Sequence, residues 1–312
     1  MRICGQASLA GGLACGVFLT AVFVGRPGDD GTAAPAPPRG PYVAMGDSYT
    51  SGPRIPDRTG LPAGCDRSDR NYPALVAERL GIGPADFRDM SCGGATVADL
   101  SGPQSTDEGT NPAQLSALSA TTRLVTVGIG GNDLGFADLV TRCVEAGVLH
   151  SLLGGAAGGS ADDAPCRDTY GATGADGIRR RVDAAGERLS SALDEMRRRA
   201  PHARMYVVGY PAVLPPGGSG CDGEMGLAEG DAAFLHGEEQ HLNAVLRQRA
   251  EAAGAGYVDT YTPSVGHDAC SARETRWIEP LVPRSPAAPV HPNERGESGM
   301  ADAVLRTIGA AA

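Results

Sequence analysis

The stretch from Ile178 to Ala200 constrains the fold more than any other part of the chain. Ile178, Val182, Ala185, Leu189, Ala192 and Met196 recur at steps of three and four, drawing one apolar stripe along a helix with arginines outside it. Such a helix has to lie against an apolar layer. Pro201 ends it, and Arg204-Met205-Tyr206-Val207-Val208-Gly209 follows as a strand. The same alternation runs through the rest of the chain. Strands are expected over Tyr42–Met45, Phe87–Met90, Leu124–Ile129 and Tyr257–Asp259, and helices over Tyr72–Leu80, Asn111–Leu118, Ala232–Ala253 and Glu294–Ile308. Strands separated by long helices return by right-handed crossovers and pair in parallel. The expected fold class is therefore α/β: a three-layer α/β/α sandwich around a central, mainly parallel sheet.

The amino terminus follows another logic. Ala7 to Gly25 is nearly all apolar, preceded by Arg2 and followed by a Pro/Ala/Gly-rich run to Pro41. Residues 1–40 are read as a secretory signal and flexible lead-in, with cleavage in the Thr32–Pro38 region, and residues 41–312 as one domain. An uncleaved amino-terminal anchor is the rival, since the apolar length borders on a bilayer span. A secreted, extracellular monomer without stable membrane insertion after leader removal is expected. Setting aside Cys4 and Cys15, six cysteines remain, an even set in an exported chain. Fifteen pairings are open to six cysteines. The sequential one, Cys65 with Cys92, Cys143 with Cys166 and Cys221 with Cys270, closes three local loops. No C-x-x-C pair with a nearby His is present, so no metal is expected.

Charge narrows the partners. The chain carries a net −10, with three arginines and two aspartates in its first 40 residues, so the rest is strongly acidic. Nucleic acid is a poor fit, because no Lys/Arg stripe is available to neutralise phosphates. Arg179-Arg180-Arg181 and Arg197-Arg198-Arg199 read as the solvated face of one helix. Gly130-Gly131 lacks the G-x-G-x-x-G spacing and no Lys follows it, so no nucleotide cofactor is expected, nor any other.

The chemistry sits in four separated blocks. Gly46-Asp47-Ser48 closes the first strand and lifts a hydroxyl at its carboxyl end. Gly93-Gly94-Ala95-Thr96, Gly130-Gly131-Asn132-Asp133 and His291-Pro292-Asn293 follow in order. Each is ordinary turn chemistry on its own. Together they supply what ester hydrolysis requires: a nucleophile, a base and hydrogen-bond donors for a tetrahedral oxyanion. A parallel sheet would gather all four at one edge.

In order and content these blocks resemble the GDSL lipase/esterase branch of the SGNH hydrolases, particularly its secreted bacterial members, over nearly all of Tyr42 to Ile308. The resemblance implies a flavodoxin-like SGNH hydrolase fold and a carboxylic ester hydrolase acting on a small-molecule or lipid ester through an acyl-enzyme. It also implies Ser48 as nucleophile and first oxyanion donor, Gly94 N–H as second, the Asn132 side-chain amide as third, and His291 as base. The six-cysteine spacing resembles that branch too, in support of the sequential pairing. The family's Asp-x-x-His is broken here, because Ala288 stands three residues before His291. A Ser48/His291 dyad is expected, with the Ala288 backbone carbonyl accepting from His291 Nδ1, or else an Asp brought from elsewhere, such as Asp302 or Asp268. Asp47 and Asp133 are given structural roles. The other five histidines read as surface or helix-face positions, and Trp277 as packing rather than an acyl-cleft wall. A deacetylase for glycans or other small esters is the alternative enzyme, and a secreted binding protein that has lost its chemistry the alternative of another class.

Overall fold

The structure is a computed structural model that describes residues 36–152 and 163–310, apart from the side chains of 172, 173 and 222. Residues 1–35, which hold most of the expected leader with Cys4 and Cys15, and the glycine-rich stretch Gly154–Gly159 lie outside the described residues. Five strands form the central sheet: β1 (Tyr42–Gly46), β2 (Phe87–Asp89), β3 (Leu124–Gly128), β4 (Arg204–Val208) and β5 (Gly256–Val258), in the order β2-β1-β3-β4-β5. Every pairing is parallel, with Tyr42 opposite Leu124 and Gly46 opposite Gly128.

The long helices are α1 (Tyr72–Arg79), α2 (Phe136–Leu152), α3 (Pro165–Arg199), α4 (Glu229–Ala252) and α5 (Glu294–Ile308). Side chains alternate across the strands, so each face builds its own core. Val43, Met45, Val125, Val127 and Val207 join Ile178, Leu189 and Met196 of α3 and Leu242 of α4. Tyr42, Ala44, Leu124, Tyr206 and Val208 join Val76 of α1 and Met300, Val304 and Ile308 of α5. The expected three layers are present. All three expected disulfides are formed, Cys65–Cys92, Cys143–Cys166 and Cys221–Cys270.

Three elements depart from expectation. Helix α2 was not anticipated at all. Helix α3 begins at Pro165, with a break at Gly171 (φ 57°, ψ −178°), before the regular stripe from Ile178. Asn111–Leu118 contains a 3-10 turn over Gln114–Ala117 rather than an α-helix.

In this strand order the chain runs outward to β2 from β1, then crosses back to β3. The loops leaving β1 and β3 therefore diverge toward opposite faces and open a crevice at the carboxyl ends of the strands. Ser48 follows β1 and Asn132 follows β3.

Candidate active site

Each block is held by local bonds that the sequence dictates. Strand β1 stops at Gly46 (φ 152°), where an added Cβ would overlap the Gly128 carbonyl and the Thr50 hydroxyl. The Gln114 side chain brackets that glycine, accepting from Gly46 N–H at 2.7 Å and donating to its carbonyl at 3.0 Å. Asp47 donates its own N–H to Gly128 O at 3.0 Å. Its Oδ1 accepts from Tyr49 N–H at 2.9 Å, capping the single helical turn Ser48–Ser51. Ser48 is the first residue of that turn, at the edge of a cavity of about 520 Å³.

Gly94 lies in the turn after β2, in the left-handed conformation (φ 75°) that favours glycine. Cys92 N–H donates to Gly46 O at 3.0 Å and Gly93 N–H to Cys65 O at 3.1 Å, so the Cys65–Cys92 disulfide and β1 both anchor the turn. After β3, Asn132 Nδ2 donates to Ala95 O at 2.8 Å, and Val97 N–H donates to Asp133 Oδ2 at 2.9 Å. Asp133 also accepts from Arg188 of α3 at 2.7 Å, which gives it the structural role expected. Among the described residues, neither Ser48 N–H nor Gly94 N–H has a protein acceptor.

His291 arrives from the loop before α5. Its Nε2 lies 2.7 Å from Ser48 Oγ. Its Nδ1 lies 2.7 Å from the carbonyl of Pro289, not of Ala288, which corrects the expected acceptor by one residue. The reason is the backbone of Val290, whose φ of 60° folds the loop back so that the carbonyl two residues upstream faces the ring. Ala288 contributes elsewhere, donating its N–H to Pro53 O at 3.0 Å. The carbonyl can only accept, so Nδ1 carries the proton and Nε2 presents a lone pair to the Ser48 hydroxyl. Asp302 pairs with Arg79 at the surface, and buried Asp268 accepts from Cys270 N–H at 3.0 Å. Neither completes a triad.

Two tyrosines absent from the sequence reading hold this arrangement. Tyr49 O–H donates to Val290 O at 2.6 Å, and its ring packs 4.9 Å from the imidazole. Tyr210 follows β4, lines the cavity and donates its hydroxyl to Asp47 Oδ2 while accepting from Gly131 N–H at 2.8 Å. Tyr210 sits within an apolar run and Tyr49 within the Ser48 turn, and in neither place does the sequence say which partner the hydroxyl takes.

The His291 loop is itself fixed by a carboxylate. Glu279 Oε1 accepts from Asn293 Nδ2 at 2.7 Å, and its Oε2 accepts from Arg284 N–H at 2.7 Å and Ser285 N–H at 3.2 Å. Burial pushes the Glu279 carboxyl up, but these hydrogen bonds outweigh it and hold its pKa below the ordinary value. Burial lowers the His291 pKa, the Pro289 carbonyl opposes that, and the nearby Arg54 charge adds to it. The free base is thereby favoured at neutral pH. Asp47 is pushed up to about 7, chiefly by burial.

Ser48, Gly94, Asn132 and His291 all line the one cavity, together with apolar side chains, Phe136 and Val140 of α2, Leu242 of α4, Val213 and Leu281, and polar ones that include Arg54 and Glu239. Trp277 is not part of it and stacks on His267. Among the described residues, no cluster of three or more His, Cys, Asp or Glu side chains could hold a metal ion. The arrangement can activate a hydroxyl and receive an acyl group.

Comparison with known proteins gives a consistent picture. The GDSL-like Lipase/Acylhydrolase family matches residues 44–298. Lipase 2 of Streptomyces coelicolor is 41% identical over 286 residues, covering 90% of this chain and 91% of the relative. The crystal structure of phospholipase A1 from Streptomyces albidoflavus superposes with a TM-score of 0.68 at 29% identity, covering 86% of this chain and all of that one. The extracellular lipase of Streptomyces rimosus superposes with a TM-score of 0.67 at 29% identity, covering 85% of this chain and 98% of that one.

Proposed function

The chain belongs to the GDSL-like lipase/acylhydrolase family and is a carboxylic ester hydrolase of the lipase/esterase type, and we propose that residues 41–312 act as one catalytic domain working through a Ser48/His291 dyad. The observation that carries this reading is the 2.7 Å separation of Ser48 Oγ and His291 Nε2 at the rim of the cavity. Ser48 Oγ attacks the ester carbonyl carbon while His291 Nε2 takes its proton. The imidazolium keeps Nδ1–H on the Pro289 carbonyl. The new oxyanion is met by the N–H groups of Ser48 and Gly94 and by Asn132 Nδ2. Collapse expels the alcohol oxygen, which receives the proton from Nε2. Water then repeats the sequence against the acyl-enzyme and frees the acid and the Ser48 hydroxyl.

The neutral carbonyl fixes the tautomer, as the aspartate of a triad does, but stabilises the imidazolium less. More of the barrier reduction therefore falls on the oxyanion donors. The apolar side chains of Phe136, Val140 and Leu242 suit an acyl chain longer than acetyl. The three disulfides and the extracellular lipase among the similar structures support export to an oxidising compartment. A monomer acting on a small-molecule or lipid ester is the corresponding assembly. No helix among the described residues is long and apolar enough to cross a membrane.

Ser48→Ala tests the reading. It should abolish turnover of p-nitrophenyl esters and covalent labelling by an organophosphonate while the folded signal is kept, and normal turnover by that variant would overturn the dyad. A chain-length profile that stops at acetyl would transfer the assignment to a deacetylase.

A further inference from the structure

We propose that Tyr210 is a positioning residue: its hydroxyl fixes the turn carrying the Asn132 oxyanion donor against the turn carrying Ser48. This rests on the dyad reading above and assigns a role to a side chain outside the four sequence blocks. Three strand ends meet at one phenol. Gly131 N–H, from the turn after β3, donates to Tyr210 Oη at 2.8 Å. Tyr210 O–H donates to Oδ2 of Asp47, in the turn after β1. The other oxygen of Asp47 accepts from Tyr49 N–H at 2.9 Å and so sets the helical turn that begins at Ser48. The residue preceding Asn132 and the residue preceding Ser48 are thus joined through a single hydroxyl.

The phenol is itself held. Tyr210 N–H donates to Asn243 Oδ1 at 2.8 Å and Asn243 Nδ2 donates to the Tyr210 carbonyl at 3.0 Å, a two-point clamp from α4. Its ring meets Tyr49 edge to face at 5.1 Å, and Tyr49 in turn contacts the imidazole. The residue is buried, and as core a phenylalanine would serve equally. The hydroxyl's two bonds run only to the Ser48 and Asn132 turns. An oxyanion donor contributes fully only when it is already aimed at the developing charge, and Asn132 is aimed by Ala95 O on one side and by the Gly131 backbone on the other.

Tyr210→Phe keeps the ring and removes the linkage. For p-nitrophenyl butyrate, kcat should fall about tenfold, less than the hundredfold or more expected when a donor is removed outright. KM should stay within about twofold, because the loss arises when charge develops rather than on ground-state binding. Affinity for butylboronic acid, whose adduct with Ser48 is tetrahedral, should weaken by the same factor as kcat. A purely structural role would reduce the fraction of active enzyme without moving kcat per phosphonate-titrated site. Folded Tyr210→Phe enzyme with wild-type kcat per site and boronate affinity overturns the proposal, as does a loss carried by KM alone. Should Tyr210→Phe not fold, Asp47→Ala decides, since it removes both carboxylate oxygens and with them the partner of the Tyr210 hydroxyl; wild-type kcat and boronate affinity in that variant overturn the proposal equally. Turnover that persists in Ser48→Ala would instead overturn the dyad itself, so the two failures are distinguishable.

Discussion

Asp47 provides a test of the site's electrostatics that needs no substrate. It is buried, its ordinary pKa is 3.8, and burial moves it to about 7 in the folded protein despite the hydrogen bonds from Tyr210 and Tyr49. A carboxyl whose folded pKa is raised holds its proton more tightly in the native state. Its contribution to stability is fully present below the unfolded pKa and is lost as pH rises through the folded one. With 3.8 and about 7 as the two values, the loss is about 2 kcal/mol at pH 5 and about 4 kcal/mol at pH 8.

Asp47→Asn removes that titration. The variant also changes packing and hydrogen bonding, but those effects do not depend on pH. Other buried carboxyls with raised pKa values, among them Glu239, Glu297 and Asp89, titrate alike in both proteins and cancel. Urea unfolding of wild type and variant at pH 5 and pH 8 therefore isolates the linkage as a difference of differences. The variant should gain about 2–3 kcal/mol on wild type between the two pH values. A folded pKa as low as 6 would still leave a gain above about 1 kcal/mol. A difference near zero would mean that the carboxyl is already ionised at pH 5, which would refute the burial argument.

Three further outcomes follow from the same geometry. Arg54→Gln should move the acid limb of kcat/KM to higher pH, because the Arg54 charge helps to hold the His291 pKa below its ordinary value; an acid limb that stays put or moves down contradicts this. Replacing Cys65 and Cys92 together by serine opens a loop with a sequence separation of 27. That should cost about 3.5 kcal/mol in urea unfolding and lower kcat through the Gly94 turn, and a cost under about 1 kcal/mol would show that the turn is held without the disulfide. Glu279→Gln places an amide where a carboxylate accepts from Asn293, Arg284 and Ser285. Stability should fall by about 1–3 kcal/mol and kcat with it, while unchanged values for both would refute the role given to the loop.

The parts of the fold that rest on apolar periodicity were legible in the sequence. Glu294–Ile308 starts and stops where Asn293 and Gly309 cap it, and β3 and β4 fall on short, largely apolar runs rich in valine. The sequential disulfides followed from loop closure and resemblance together. Helix α2 carries the same kind of signal, with Phe136, Val140, Cys143 and Gly147 at steps of four and three, but it is squeezed between the Gly130–Asp133 turn and a glycine-rich stretch that both read as loop. The His291 partner was misplaced because every residue offers a carbonyl. Which one faces the ring depends on a left-handed Val290, a conformation that a β-branched residue rarely adopts and no local pattern announces. Tyr49 and Tyr210 were hidden for a related reason, since their rings satisfy a core and only their hydroxyl partners reveal what they do.

Orientation of a catalytic base and stabilisation of its charge are separable, and in the proposed Ser48/His291 dyad they fall to different groups. In a triad one aspartate does both from the Nδ1 side. Here the Pro289 carbonyl and the Tyr49 contact orient the ring, while the carboxylate of Glu279 acts one step away, on the backbone of the loop that carries it. Its negative charge is already engaged by three hydrogen bonds, leaving the proposed imidazolium to be balanced chiefly by the oxyanion formed beside it. That pairing is effective only if the oxyanion is held still, which assigns greater weight to the Gly94 and Asn132 turns than a site with a full triad would require. Substitutions that loosen those turns, such as Tyr210→Phe, should consequently cost more in kcat than substitutions of similar size in the loop before His291.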